Sequence, residues 1–149
     1  MLPLSGHAAP SEATLNAING ARVEYQAARK AIDNEDWKAA LEALKRAEKL
    51  DPHSAEIQNQ IGFTLRQTGE FQLAVSHYLR ALELDPHHRG AHEYMGRAYL
   101  HLGKPEKARE LLAKLESLCT AKCAERDLLK RAIDEWDPWQ RPMRVGRFY

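Results

Sequence analysis

Apolar residues along this chain recur at helical spacing, and short polar stops interrupt them. A first segment opens at Ser11, with Glu12 and Thr14 as start signals, and runs to about Asn34. Ala17, Ala21, Ala28 and Ile32 give it a face of mostly small residues. Asp36 can accept a bond from an exposed amide of the next helix, whose inward positions are Trp37, Ala40, Leu41, Leu44 and Ala47. Asp51-Pro52 ends that helix, because proline cannot continue it and pushes the preceding residue to extended backbone. Ser54 opens a third helix through Gln67, carrying Ile57, Ile61 and Leu65. Gly69 supplies a left-handed turn before Phe71, Leu73, Ala74, Val75 and Tyr78. After Asp85-Pro86, a fifth helix carries Ala91, Tyr94, Met95, Ala98 and Tyr99, and Gly103 ends it. Pro105 is tolerated in the first turn of a sixth, with Ala108, Leu111, Leu112 and Leu115 inward. A last amphipathic stretch, from about Ala121 to Trp136, spaces Leu128, Leu129, Ala132 and Ile133 helically.

Parts of this pattern repeat. Lys49-Leu50-Asp51-Pro52-His53 recurs as Glu83-Leu84-Asp85-Pro86-His87, 34 positions on. The same shift brings Trp37 onto Phe71, Ala40 onto Ala74, Leu44 onto Tyr78 and Ala47 onto Ala81. It also brings Ile61-Gly62 onto Met95-Gly96, Gly69 onto Gly103 and Ala74 onto Ala108. A fixed period of this length marks a solenoid whose units cannot bury their apolar faces alone. The small residue after an apolar pair, Gly at the turn, Ala in the second helix and the closing Asp-Pro resemble the tetratricopeptide repeat, over residues 21–122. That resemblance implies an all-α fold, a right-handed superhelical solenoid of antiparallel helix pairs. The expected repeats are about 21–54, 55–88 and 89–122. Beyond Leu118 the period fails, and residues 121–136 are expected to form a capping helix over the last apolar face. The expected organisation is thus one domain over 11–136. Residues 1–10 form a disordered segment or a signal-peptide remnant, with Gly6-His7-Ala8 as its small-x-small tail, and residues 137–149 form an extended or disordered tail.

Composition narrows the partners. Lys and Arg total 22 against 21 Asp and Glu, so no overall field draws nucleic acid or anionic lipid. No stretch approaches the ~18 apolar residues of a membrane span, so no membrane insertion is expected.

The large residues Trp37, Phe71, Tyr78, Tyr94 and Tyr99 read as repeat core. Gly62 and Gly96 read as close crossings within a hairpin, faced by Ala40, Ala74 and Ala108. By resemblance, the ligand groove is lined by the first helix of each pair and takes a protein or extended peptide, without catalysis. Carried over, that surface comprises Arg22, Tyr25, Arg29 and Asp33, then Glu56, Asn59, Phe63 and Arg66, then Glu93, Arg97, Leu100 and His101. The expected partner-binding set is Tyr25, Arg29, Asn59, Phe63, Arg66, Glu93, Arg97 and His101. Guanidinium groups beside rings grip carboxylates and aromatic surface. Arg29, Arg66 and Arg97 are expected to be exposed and dispensable for stability. One sub-type of the family clamps chaperone carboxyl termini with Lys and Asn. Its positions are filled here by Tyr25, Arg29, Gln60, Gly90 and Tyr94, which do not supply that clamp.

No phosphate loop, nucleophile motif or catalytic carboxylate pair appears, and no cofactor is expected. Cys119 and Cys123 are not a Cys-x-x-Cys pair. Three readings stand: a disulfide stapling the cap, feasible if the helix breaks at 120–122; two reduced packing cysteines; or metal or redox chemistry. The segment His88 to Tyr94, followed by Leu115 to Leu118, Cys119 and Cys123, resembles small bacterial members of the family exported to the periplasm. A periplasmic location is expected on that resemblance, with cytoplasmic the alternative. His88 and His92 share a helical face, and two imidazoles bind a transition metal weakly. A metal- or redox-linked accessory protein using Cys119, Cys123, His88 and His92 is therefore the second functional class. Self-association remains open. The tail, with Trp139, Arg141, Arg144, Arg147 and Phe148, has the mixture of single-strand nucleic-acid binders, but three charges favour a self-docked tail or an anchor for another protein.

Overall fold

The starts of the first three helices are set by side chains that satisfy orphan amides. Ser11 Oγ accepts from Thr14 N–H at 3.2 Å, Asp36 Oδ1 from Ala39 at 3.0 Å and Ser54 Oγ from Ile57 at 3.2 Å. These bonds are seen in a computed structural model of the chain, which describes residues 9–136. The elements are α1 (Glu12–Asp33), α2 (Trp37–Leu50), α3 (Ala55–Gln67), α4 (Phe71–Leu84), α5 (Arg89–His101), α6 (Pro105–Leu118) and α7 (Ala124–Asp134). Among the described residues the chain is all-helical, with no strand. Apart from Ala9 and Pro10, the expectations for residues 1–10 and for the tail from Asp137 lie outside them.

Three helix pairs, α1/α2, α3/α4 and α5/α6, stack in chain order, and α7 packs on both α5 and α6. Their turns share one left-handed backbone position. Gly69 and Gly103 sit at φ 84° and 70°, and the same position in the first pair is held by Glu35 at φ 56°. Alanines fill the close approaches, with Ala28, Ala40, Ala47, Ala74, Ala81, Ala98 and Ala108 all fully buried.

Gly62 and Gly96 are not equivalent. A Cβ on Gly62 would lie 2.6 Å from the Tyr78 ring of α4, its hairpin partner, whereas one on Gly96 would lie 2.6 Å from Leu129 of α7. The crossing expected within the third hairpin is therefore made with the last helix. That helix begins after a break at Leu118. Cys119 and Cys123 are joined as a disulfide across the break, and Cys123 is buried at the α7 N-cap. Trp136 closes the end, its indole N–H donating to the Leu100 carbonyl at 3.0 Å.

Candidate functional site

The first helices of the three pairs leave a groove of about 1180 Å³, and α7 supplies its far wall. Ile32, Asp33, Glu35 and Trp37 line it at the α1–α2 turn. Phe63, Arg66, Gln67 and Thr68 come from α3, and Gly90, Glu93, Tyr94 and Arg97 from α5. The α7 wall consists of Ala124, Glu125, Leu128, Arg131, Ala132 and Glu135.

Its floor is aromatic. Trp37 meets Phe63 edge-on with centroids 6.3 Å apart, and Phe63 meets Tyr94 at 5.2 Å. The Arg66 guanidinium lies 5.5 Å from both the Phe63 and the Tyr94 ring centroids. Ring faces carry negative charge, so they compensate a cation withdrawn from water. Arg66 is only 5% exposed, and the neighbouring Glu93 is 1% exposed. Arg97 donates to Glu93 at 3.1 Å. Burial raises the Glu93 carboxyl above its ordinary range, against the pull of Arg97 and Arg66.

The burial of Arg66 corrects the expected exposed arginine row at that position, whereas Arg97 is half-buried and Arg29 is exposed. Arg66 is wedged between rings and Arg97 neutralises a buried carboxylate, so replacing either disturbs the fold as well as the groove. Asn59 is likewise buried rather than presented, at 2% exposure. His101 stacks on Phe71 of α4 with centroids 4.4 Å apart, and is not among the groove-lining residues. Of the expected set, the structure brings Phe63, Arg66, Glu93 and Arg97 together around the groove. Tyr25 and Arg29 belong to a neighbouring polar cluster.

That cluster centres on Glu56. Its carboxylate accepts from Tyr25 Oη at 2.7 Å, from Gln60 Nε2 at 2.8 Å and from His88 Nε2 at 2.9 Å. Burial pushes Glu56 up, but the bonds from His88, Gln60 and Tyr25 outweigh it and hold the carboxyl down at about 2. Tyr25 is pushed up to about 12 by burial and by Glu56. His88 is raised by its bond to Glu56. Its other nitrogen, Nδ1, accepts from Ala91 N–H at 3.1 Å and caps α5.

The His88/His92 metal pairing gains no support from the same geometry. Both His88 nitrogens are engaged, and His92 Nε2 donates to the Pro86 carbonyl at 2.9 Å. Among the described residues, no group of three His, Cys, Asp or Glu could hold a metal. Sequence reasoning assigned Trp37 and Tyr94 to the core, yet both line the groove, and it gave no binding role to Leu128 or Arg131. Leu129 is fully buried while Leu128, the adjacent position round the helix, is 43% exposed.

Comparison with known proteins gives concordant likenesses. Two sequence models, both described as tetratricopeptide repeat, match residues 25–62 and 53–121. The protein O-mannosyl-transferase TMTC3 of Homo sapiens is 29% identical over 85 residues, covering 57% of this chain and 9% of that protein. Its Mus musculus counterpart is 30% identical over 75 residues, covering 50% and 8%. The chain thus spans less than a tenth of the curated relatives it matches. Among solved structures, the TPR2B domain of yeast Sti1 in a pHsp70 complex superposes with a TM-score of 0.73 at 19% identity, covering 78% of this chain and 97% of that one. The first TPR of Spaghetti (RPAP3), bound to the HSP90 peptide SRMEEVD, gives 0.72 at 17%, covering 78% and 93%. The Yersinia enterocolitica translocator chaperone SycD gives 0.72 at 18%, covering 85% and 96%. At these identities the likeness is one of fold.

Proposed function

We propose, from the premise that residues 25–121 of this chain belong to the tetratricopeptide repeat family, that it is a non-catalytic scaffold whose groove takes a protein segment or extended peptide. The observation that carries this reading is the groove itself, an aromatic floor beside a half-exposed Leu128, rimmed by charge. Apolar surface with a few placed polar groups is what a recognition cleft requires. Trp37, Phe63, Tyr94, Leu128 and Arg131 would touch the ligand. Arg66, Glu93 and Arg97 would hold the floor and its charge, and Tyr25 and Arg29 would flank the ligand's path. Asn59 and His101 would act only through the residues they support. Two fold neighbours hold chaperone peptides, but Tyr25, Arg29, Gln60, Gly90 and Tyr94 stand where the clamp residues would be, so a chaperone tail is not the ligand we infer. The Cys119–Cys123 pair suits an oxidising compartment, and an exported location is the reading it favours.

Panning a random peptide library on the full chain tests the function. Enriched peptides should share an apolar anchor and bind Leu128→Asp at least about tenfold more weakly, since a charge would replace an apolar contact. An absence of enrichment, or equal binding to the variant with its helicity intact, would overturn the reading.

A further inference from the structure

Charge around the groove is sorted by depth. The floor holds Arg66, Glu93 and Arg97, and Arg97 is bonded to Glu93. The rim holds Asp33 and Glu35 at the α1–α2 turn, with Glu125, Arg131 and Glu135 on and just past α7. Four carboxylates therefore face one guanidinium at the rim, and all of these groups except the half-buried Glu125 are exposed. Among the described residues, Asp33, Glu125 and Glu135 form no ion pair, although Arg29 lies in the field of Asp33 one turn away. The rim is felt at depth: burial first, and Glu125 with it, raise the Glu93 carboxyl. An acidic ligand would meet repulsion at every approach to this floor.

Arg66 adds an independent observation. It lines the groove at only 5% exposure, and its Nε has no acceptor among the described residues. Its charge is already compensated by the Phe63 and Tyr94 rings and by Glu93. What it lacks is an acceptor for the N–H, and a buried donor without one is costly. A backbone carbonyl from a ligand would satisfy it without bringing charge to the floor.

We propose that the groove selects a basic peptide segment. An apolar side chain packs against Phe63, Tyr94 and Leu128, a backbone carbonyl accepts from Arg66 Nε, and Lys or Arg side chains on both flanks pair with the rim carboxylates. This rests on the reading of the groove as a peptide site, and it adds the charge class of the ligand. Glu125 and Glu135 stand about 15 Å apart at 1.5 Å of helix rise per residue. An extended segment lying along α7 covers that distance in about five residues. Two basic residues about five positions apart, with the apolar anchor between them, match the rim.

The test pans a random peptide library on the full chain at low salt and synthesises the winners. Lys and Arg should be enriched on both flanks of an apolar anchor, and binding should weaken as salt is raised. The winners should bind Asp33→Asn/Glu125→Gln/Glu135→Gln about tenfold more weakly, since each exposed ion pair contributes roughly two- to threefold. Glu42→Gln/Glu110→Gln/Glu116→Gln removes the same charge from α2 and α6, outside the groove lining, and should bind as the unaltered chain does. If the rim triple variant loses helicity, Asp33→Asn and Glu135→Gln singly decide, each with a loss of roughly two- to threefold. Basic winners indifferent to the rim variants, or weakened equally by the control triple, would overturn the proposal. So would acidic or uncharged winners that Leu128→Ser weakens, and in that case the scaffold reading stands. An absence of any enrichment would overturn both.

Discussion

Gly62 has no room for a side chain, because the Tyr78 ring lies where its Cβ would be and Tyr78 is fully buried. Gly62→Ala should destabilise the chain by about 1–3 kcal/mol, the usual cost of overpacking a filled core. Gly96→Ala meets the Cδ atoms of Leu129 and, at 3.3 Å, its Cγ; a branched aliphatic end on the last helix yields more readily than a ring, so its cost in urea unfolding should be smaller. Equal costs, or the reverse order, would contradict this account. Glu56 leads to a pH dependence. Its folded carboxyl is held down from 4.5 to about 2, so folding favours the ionised form. The contribution is full above pH 4.5 and is lost as the pH falls through about 2. Glu93 acts in the opposite sense, because burial raises it, and its contribution fades as the pH rises. Glu56→Gln should therefore lower the melting temperature near neutrality and flatten the acid limb of stability against pH. An unchanged acid limb would show that the three-donor cluster does not hold the carboxylate in solution.

Among the elements, the three hairpin turns pose one backbone problem with two solutions. Gly69 and Gly103 adopt left-handed backbone without a Cβ penalty, and Glu35 adopts it with one. A non-glycine residue there is strained by roughly 1–2 kcal/mol, so Glu35→Gly should recover about 1 kcal/mol in thermal or urea unfolding. Loss of stability instead would mean that the Glu35 side chain contributes more than its backbone costs. The Asp-Pro stops, the Ser54 and Asp36 caps and Pro105 in the first turn of α6 were all legible, because caps and stops act within four residues of sequence. The His88 cap was not. Histidine serves there because Glu56, on the preceding helix pair, fixes its ring from the far side.

In the whole molecule, α7 both covers the last pair and forms a wall of the groove, so under the proposed function what holds α7 should govern binding. The Cys119–Cys123 disulfide spans the break between α6 and α7. A loop this short gains little from closure entropy, less than the ~3 kcal/mol of a 15-residue loop, so its effect should be local. Reduction by a dithiol should lower the melting temperature slightly, speed hydrogen exchange over residues 119–136 before any other segment, and weaken groove-peptide binding. Uniform acceleration of exchange, or binding unaffected by reduction, would detach the bridge from the groove.

The period, the helix count and their stops were determined by sequence, because each depends on contacts within one turn or one fixed repeat. Phe63, Arg66, Glu93 and Arg97 were placed on the inner helices by the resemblance to the repeat family, carried over position by position. Whether they are exposed did not follow from it. Arg66 disappears between Phe63 and Tyr94, and Tyr25 reaches Glu56, only because successive pairs stack at one particular twist. Tertiary structure also decided that Gly96 is filled by Leu129 rather than by its hairpin partner, and that Leu128 is left for the groove. Those outcomes join residues on different helix pairs, where apolar spacing says which face is inward but not what will meet it.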